Sequence, residues 1–186
     1  MQQTKPNSSG GLMVGTRPLI EAIEAGRHID KIYLQKNLQG QVFSELWHLI
    51  KEHKLPYTVV PKSRLDKFTR QNHQGVVTLI SEVPFQDLKE IVFAAYEKGQ
   101  DPFIIILDRI SDVRNFGAIA RTAEGAGAQA VVITQKNSAA VNYDAMKTSA
   151  GALQHIALCR ENNLNDTLQW LKDSGIRVVG CTEKTE

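Results

Sequence analysis

The apolar positions of this chain alternate between short continuous runs and helix-like spacing, a rhythm that predicts an α/β protein. In the front part the spacing predicts a helix over 18–25, with Pro18 at its start and Gly26 past its end, and then a short strand over 31–34. Phe43, Leu46, Trp47, Leu49 and Ile50 mark one face of an amphipathic helix that must stop before Pro56. On that buried face Trp47 is expected to be a core aromatic and not a platform for base stacking. Strands follow over 57–60 and 76–80, with a helical turn over 64–68 between them. Pro84 breaks the last strand, a helix is expected over 88–98, and Gly99 with Pro102 punctuates the connection. Beyond it strands fall near 103–107, 130–134, 156–159 and 177–181, with helices near 116–127, 142–152 and 164–173; Gly175 closes the last helix. Strands alternating with helices imply a parallel sheet with right-handed crossovers. The expected organisation is a flexible polar tail (1–11), a small α/β layer domain (12–82), a linker containing a helix (83–101) and a second α/β domain (102–186).

Within the second domain, the stretch 103–133 carries the candidate chemistry. An apolar strand runs into a polar loop with Asp108, Arg109, Asp112, Arg114 and Asn115, at the carboxyl end of the strand, where ligands gather in βαβ units. Asn115 stands where a helix N-cap is wanted. The helix that follows is built of Gly117, Ala118, Ala120, Ala123, Gly125, Ala126 and Gly127, so little bulk prevents a close approach. Its polar side chains are Arg121, Thr122 and Glu124, and Gly117, Arg121 and Glu124 share one face by their i, i+4, i+7 spacing. A plain surface pair between Arg121 and Glu124 would contribute only about 0.2–0.5 kcal/mol.

Composition narrows the class. With 186 residues, 42% of them hydrophobic, the chain has room for one medium or two small globular domains. It has no apolar run of membrane-spanning length and no secretory h-region at its start, as expected of a cytoplasmic protein. Cys159 and Cys181 both fall in apolar strand patterns and are expected to be buried thiols, and the five histidines lack metal-ligand spacing. The net charge of +2 conceals an asymmetry: residues 1–82 hold 11 Lys+Arg against 7 Asp+Glu, while 83–186 hold 11 against 13. A polyanion should therefore meet the front part, where Lys62, Arg64, Lys67, Arg70 and His73 cluster around the single Asp66, with Arg17 as a weaker candidate.

The segment N115-F-G-A-I-A-R-T-A-E124 resembles the first signature motif of the SpoU (TrmH-like) RNA 2′-O-ribose methyltransferases of the SPOUT superfamily. G15-T-R-P-L-I-E-A-I-E-A-G26, D30-K-I-Y-L34 and N72-H-Q-G-V-V77 are similar to that family's RNA-binding accessory domain, which folds like ribosomal protein L30e; K147-T-S-A-G-A152 matches its methyltransferase domain. The nearest likeness is to the subgroup that modifies a guanosine of 23S rRNA. The resemblance implies transfer of a methyl group from S-adenosylmethionine to a ribose 2′-hydroxyl. It places Asn115 and Arg121 in the active site, with Glu124 supporting Arg121, and implies RNA as partner, with Arg114 beside the site as a further RNA contact. The family's G-x-E-x-x-G and S-L-N-V-S segments, which form the knot, bind S-adenosylmethionine and make much of the homodimer interface, have no counterpart before Glu186. The expectation is an incomplete form, with a cofactor pocket lying mostly in segments this sequence does not contain and no metal.

Two rivals from other classes remain on sequence. A nucleotide-binding Rossmann enzyme would rest on Gly125 and Gly127, but these end a helix instead of joining strand to helix and cannot cradle a pyrophosphate. A non-catalytic RNA-binding protein, retaining the accessory domain, is the stronger alternative.

Overall fold

The computed structural model describes residues 11–181; most of the expected tail and residues 182–186 lie outside them. Two sheets form. The first contains β1 (Leu12–Val14), β2 (Ile29–Gln35), β3 (Tyr57–Val60) and β4 (Val76–Ile80) in the order β1-β4-β2-β3. It is mixed: β2 and β3 are parallel, while β4 runs antiparallel to both β1 and β2. Helices α1 (Thr16–Glu24) and α2 (Gln41–Glu52) cover one face, burying Leu19, Ile23, Leu46 and Ile50 against Ile32, Leu34 and Val76. Among the described residues the other face carries the short α3 (Lys62–Leu65) and Phe68 over Val60, Val77 and Tyr33. Trp47 packs into the α1–α2 core, edge-on to Tyr57 at 5.1 Å, as its place on the helix requires.

The second sheet is all parallel, β5 (Ile104–Leu107), β6 (Ala130–Thr134) and β7 (Ala157–Glu161) in that order. Parallel strands must be covered on both faces, and these are. On one side Phe116, Ala120 and Ala123 of α5 (Val113–Gly125), with Ala145 of α6 (Tyr143–Thr148), meet Leu107, Val131, Ile133 and Leu158. On the other, Leu88 and Val92 of α4 (Leu88–Glu97) and Leu171 of α7 (Leu164–Asp173) meet Ala130, Val132 and Cys159.

Several expectations are corrected. β1 was not foreseen: three residues give too short an apolar run to read, and its ladder with β4 forms it. Gly11, assigned to the tail, accepts the Ile80 N–H and so belongs to this edge. The helix expected over 142–152 ends at Thr148 and resumes as a 3-10 turn, Ala152–Gln154, because Ala150 and Gly151 take positive φ of 51° and 90°. No strand forms over 177–181. Ile176 and Val178 still pack into the α4–α7 side, but without a backbone ladder alternation alone does not make a strand. Cys159 is buried as expected, whereas Cys181, in that unpaired segment, is exposed. Among the described residues no helix is long and apolar enough to cross a membrane, and no group of His, Cys, Asp or Glu could hold a metal ion.

Candidate active site and RNA face

Helix α5 begins one loop beyond the carboxyl end of β5. Its N-cap is Asp112, whose carboxylate accepts the Asn115 backbone N–H at 2.7 Å, so Asn115 lies inside the first turn and is not the cap. The sequence alone could not separate them, since Asp and Asn cap equally well and only the backbone decides where the turn begins. The Asn115 side chain is thereby free of the capping role. The loop before it is braced from behind: Ala139 N–H donates to the Ile110 carbonyl at 2.8 Å. Asp108 and Arg109 form an exposed ion pair there, with Arg109 at φ 57°.

The close approach expected along α5 is found at Gly117, whereas a Cβ at Gly125 or Gly127 would meet nothing within 4 Å. A Cβ at Gly117 would stand 2.1 Å from the Thr148 hydroxyl oxygen and 2.9 Å from the Ala145 carbonyl oxygen, so α6 is what approaches closely. Arg121 and Glu124 flank that contact and are exposed. Asn115 is exposed too, but six residues of helix separate it from Arg121, about 120° around the axis. The structure therefore does not bring the three side chains together. Among the described residues Arg121 and Glu124 form no ion pair, and neither side chain nor that of Asn115 makes a hydrogen bond; the expected hold of Glu124 on Arg121 is not formed. Beside Asn115, the outer face of α5 (Ala118, Ile119, Thr122) and Phe103 border an open apolar groove of about 390 Å³.

The carboxyl ends of the three strands open onto a cleft of about 530 Å³ lined in part by Ile106, Asp108, Thr134, Asn162, Leu168 and Val178. The Thr134 hydroxyl already donates to the Lys136 carbonyl at 2.6 Å. The two buried polar side-chain atoms left without partners among the described residues, Thr78 Oγ1 and Arg160 Nε, do not belong to its lining. Its lining mixes the Asp108–Arg109 pair and the Asn162, Asn163 and Asn165 amides with Ile106, Leu164, Leu168 and Val178, and it is open to solvent.

Of the RNA candidates, Arg17, Lys62, Arg64, Lys67, Arg70 and Arg114 are exposed. His73 is not: it is 4% exposed, its Nδ1 accepts the Gly75 N–H at 2.9 Å, and its Nε2 donates to Asp66 at 2.9 Å. One neutral tautomer satisfies both bonds, so His73 holds the basic loop in shape instead of presenting itself to RNA. A basic run displays charge in sequence, but burial is invisible there.

The two sheets meet through a buried polar clip that sequence reading missed. Arg160, on β7, donates from Nη1 to the Asp30 carbonyl at 2.7 Å and from Nη2 to the Asp30 carboxylate. The second carboxylate oxygen accepts the Val141 N–H at 3.3 Å. The guanidinium also stacks 3.6 Å from the centroid of the Phe85 ring. Burial pushes the Arg160 pKa down and Asp30 acts against that shift, so the group stays a cation held by its partner. Asp30 reaches the clip because β2 bulges between Ile29 and Lys31, inserting one extra residue opposite Leu79 and Ile80.

The chain joins a basic front unit to a second unit that carries a polar, helix-bearing loop at its strand ends. Residues 102–186 match the SpoU rRNA methylase family, and residues 12–86 match the RNA 2′-O ribose methyltransferase substrate-binding family. A TrmH family tRNA/rRNA methyltransferase of Staphylococcus haemolyticus is 35% identical over 170 residues, 91% of this chain and 68% of that protein. One from Bacillus subtilis is 34% identical over 169 residues, 90% of this chain and 68% of its own length. Solved structures that align with it include the SpoU methyltransferase AviRb from Streptomyces viridochromogenes in complex with AdoMet (20% identity, TM-score 0.42), of which the chain spans 63% while 92% of this chain is covered. An AdoMet-bound rRNA methyltransferase from Sinorhizobium meliloti gives 21% identity and a TM-score of 0.42, covering 88% of this chain and 58% of that one. The chain belongs to the SpoU (TrmH) family of RNA methyltransferases.

Proposed function

We propose that this protein serves transfer of a methyl group from S-adenosylmethionine to a ribose 2′-hydroxyl, the substrate being a guanosine of large-subunit rRNA. The unit from 12 to 82 is the RNA-binding part, with an L30e-like fold, and the part from 102 onward is catalytic. One observation carries the reading: Asn115, Arg121 and Glu124 lie on the helix that follows β5, exposed and without side-chain partners among the described residues, and so available to a substrate.

The methyl donor supplies an electrophilic methyl on sulfur, and the described cleft does not enclose it. The chain's own task is to orient the hydroxyl and stabilise the oxygen as its proton leaves. The Arg121 guanidinium is a poor proton acceptor and a good oxyanion or phosphate partner, because it offers a planar, permanently charged fork of donors. The Asn115 amide can fix the ribose, and Glu124 can reach Arg121 once substrate orders both side chains. Because Asn115 and Arg121 point about 120° apart on α5, one chain does not converge them on a single hydroxyl, which favours a homodimer as the acting form.

The test compares single-turnover methyl transfer to a large-subunit rRNA transcript by a version carrying the family's G-x-E-x-x-G and S-L-N-V-S segments and by its Arg121→Ala variant, alongside thermal melts. Arg121→Ala should abolish transfer, Arg121→Lys should restore little, and Glu124→Gln should fall between. Neither Arg121 variant should cost more than about 1 kcal/mol of stability, since Arg121 is an exposed side chain. A near-normal rate for Arg121→Ala would remove the assignment. The open cleft favours one second reading, an RNA-binding protein without transfer; wild-type RNA binding without methyl transfer would select it.

A further inference from the structure

Resting on the RNA reading above, we propose that Lys31 and Tyr33 of β2, with Arg64 and Lys67 beside them, form a subsite for single-stranded RNA next to the domain junction. The cations hold a phosphate, and a base lies against the Tyr33–Phe68 pair.

The bulge in β2 creates this site. It shifts the side-chain parity of the strand, so Ile29 joins Ile32 and Leu34 under α1 and α2, while Lys31 and Tyr33 emerge on the opposite face. That face is the thinly covered one, where among the described residues α3 and Phe68 pack. The bulge also turns Asp30 into the junction, where Arg160 and the Val141 N–H occupy its oxygens. Each Asp30 carboxylate oxygen thus already accepts a bond from the junction, and among the described residues Lys31 forms no ion pair. Burial holds its pKa below the ordinary value, with Arg160 and Arg64 adding to the effect against Asp30. A half-buried ammonium without an ion-pair partner, beside the Tyr33 ring, is an arrangement that a phosphate would complement.

The aromatic half is equally local. The Tyr33 and Phe68 rings stand 4.7 Å apart at 32°, and Lys31 Nζ lies 5.7 Å from the Tyr33 centroid. Beside them Pro61, Ser63, Arg64, Lys67 and Phe68 line a cleft of about 490 Å³. Cations alternating with ring faces hold single strands without reading sequence. Arg160 belongs to the second sheet, the Val141 loop receives Asp30, and Ala139 in that loop braces the segment leading to α5.

Fluorescence anisotropy of the purified chain, with a labelled 12-nucleotide oligouridylate across a salt series, tests this. Lys31→Met should weaken binding about tenfold and lower the slope of log K against log salt by about 0.7, one single-strand phosphate contact. Tyr33→Leu should weaken binding at least about fivefold with the slope unchanged, since a ring carries no charge. Tyr33→Phe and Lys31→Arg should stay near wild type, and Lys98→Met, on an exposed site remote from β2, should change nothing. Melts identify any variant that misfolds, and the two conservative changes then decide. Unchanged affinity and slope for Lys31→Met, with losses for Lys62→Ala and Arg70→Ala, would overturn this subsite while leaving the RNA reading intact. Failure of the wild-type chain to bind the oligonucleotide would overturn both.

Discussion

Two contacts hold this molecule together by opposite means. At the junction of the sheets, the Asp30–Arg160 clip joins long polar side chains, one from a strand bulge and one from β7. Within the second unit, α5 and α6 meet where side chains are missing, at Gly117 against Thr148 and the Ala145 carbonyl. The first contact depends on charge and is intolerant of losing one partner. The second depends on volume and is intolerant of gaining an atom. The difference follows from what each contact joins. Two units whose cores are separately closed can meet through a buried pair of opposite charges, whereas two helices over one parallel sheet must share a dry layer.

The largest effect expected is at the clip. Arg160→Met leaves the Asp30 carboxylate buried without its partner and should cost about 3–5 kcal/mol, as should Asp30→Leu, which strands the guanidinium. The double change Asp30→Leu/Arg160→Met should recover most of that loss, because two apolar groups need no pairing. Chemical denaturation of the four proteins measures this, and additive losses would show that the pair is not coupled. Scattering from the single variants should also report a larger radius of gyration if the clip fixes how the two units sit.

A smaller effect is expected at Gly117. Gly117→Ala should cost about 1–3 kcal/mol by overpacking, since its Cβ meets the Thr148 hydroxyl. Thr148→Ala should restore part of it, because the collision at 2.1 Å is with that side chain, while the 2.9 Å approach to the Ala145 backbone persists. If Gly117→Ala melts like wild type, the helices are not packed this closely.

The smallest effect is chemical. Cys159 neighbours Arg160 on β7, inside the core, and burial, with Glu161 and Asp87 adding to it, pushes its thiol up to about 12. A raised pKa leaves almost no thiolate at neutral pH, so alkylation of the native protein at pH 7.5 should modify the exposed Cys181 alone. Cys159 should react only after denaturation. Rapid double labelling, read by mass spectrometry, would show that the β7 core opens.

Much of the fold was legible because periodicity is a local signal. The bounds of β3, β4 and α7 follow the apolar spacing directly, and the α5 motif could be located from its residue types alone. Three features were not legible, each for a reason of distance. Val178 alternates as a strand would, yet a strand exists only when a ladder partner is present. His73 stands in a basic run, yet its imidazole is consumed by Asp66 and Gly75. Asp30 and Arg160 are 130 residues apart, and no local pattern links them. Residue types and their spacing determined the elements and the helix that bears the candidate chemistry. Only the tertiary structure decided which charged groups are occupied and which stay free, because desolvation and pairing depend on neighbours that the chain brings from far away.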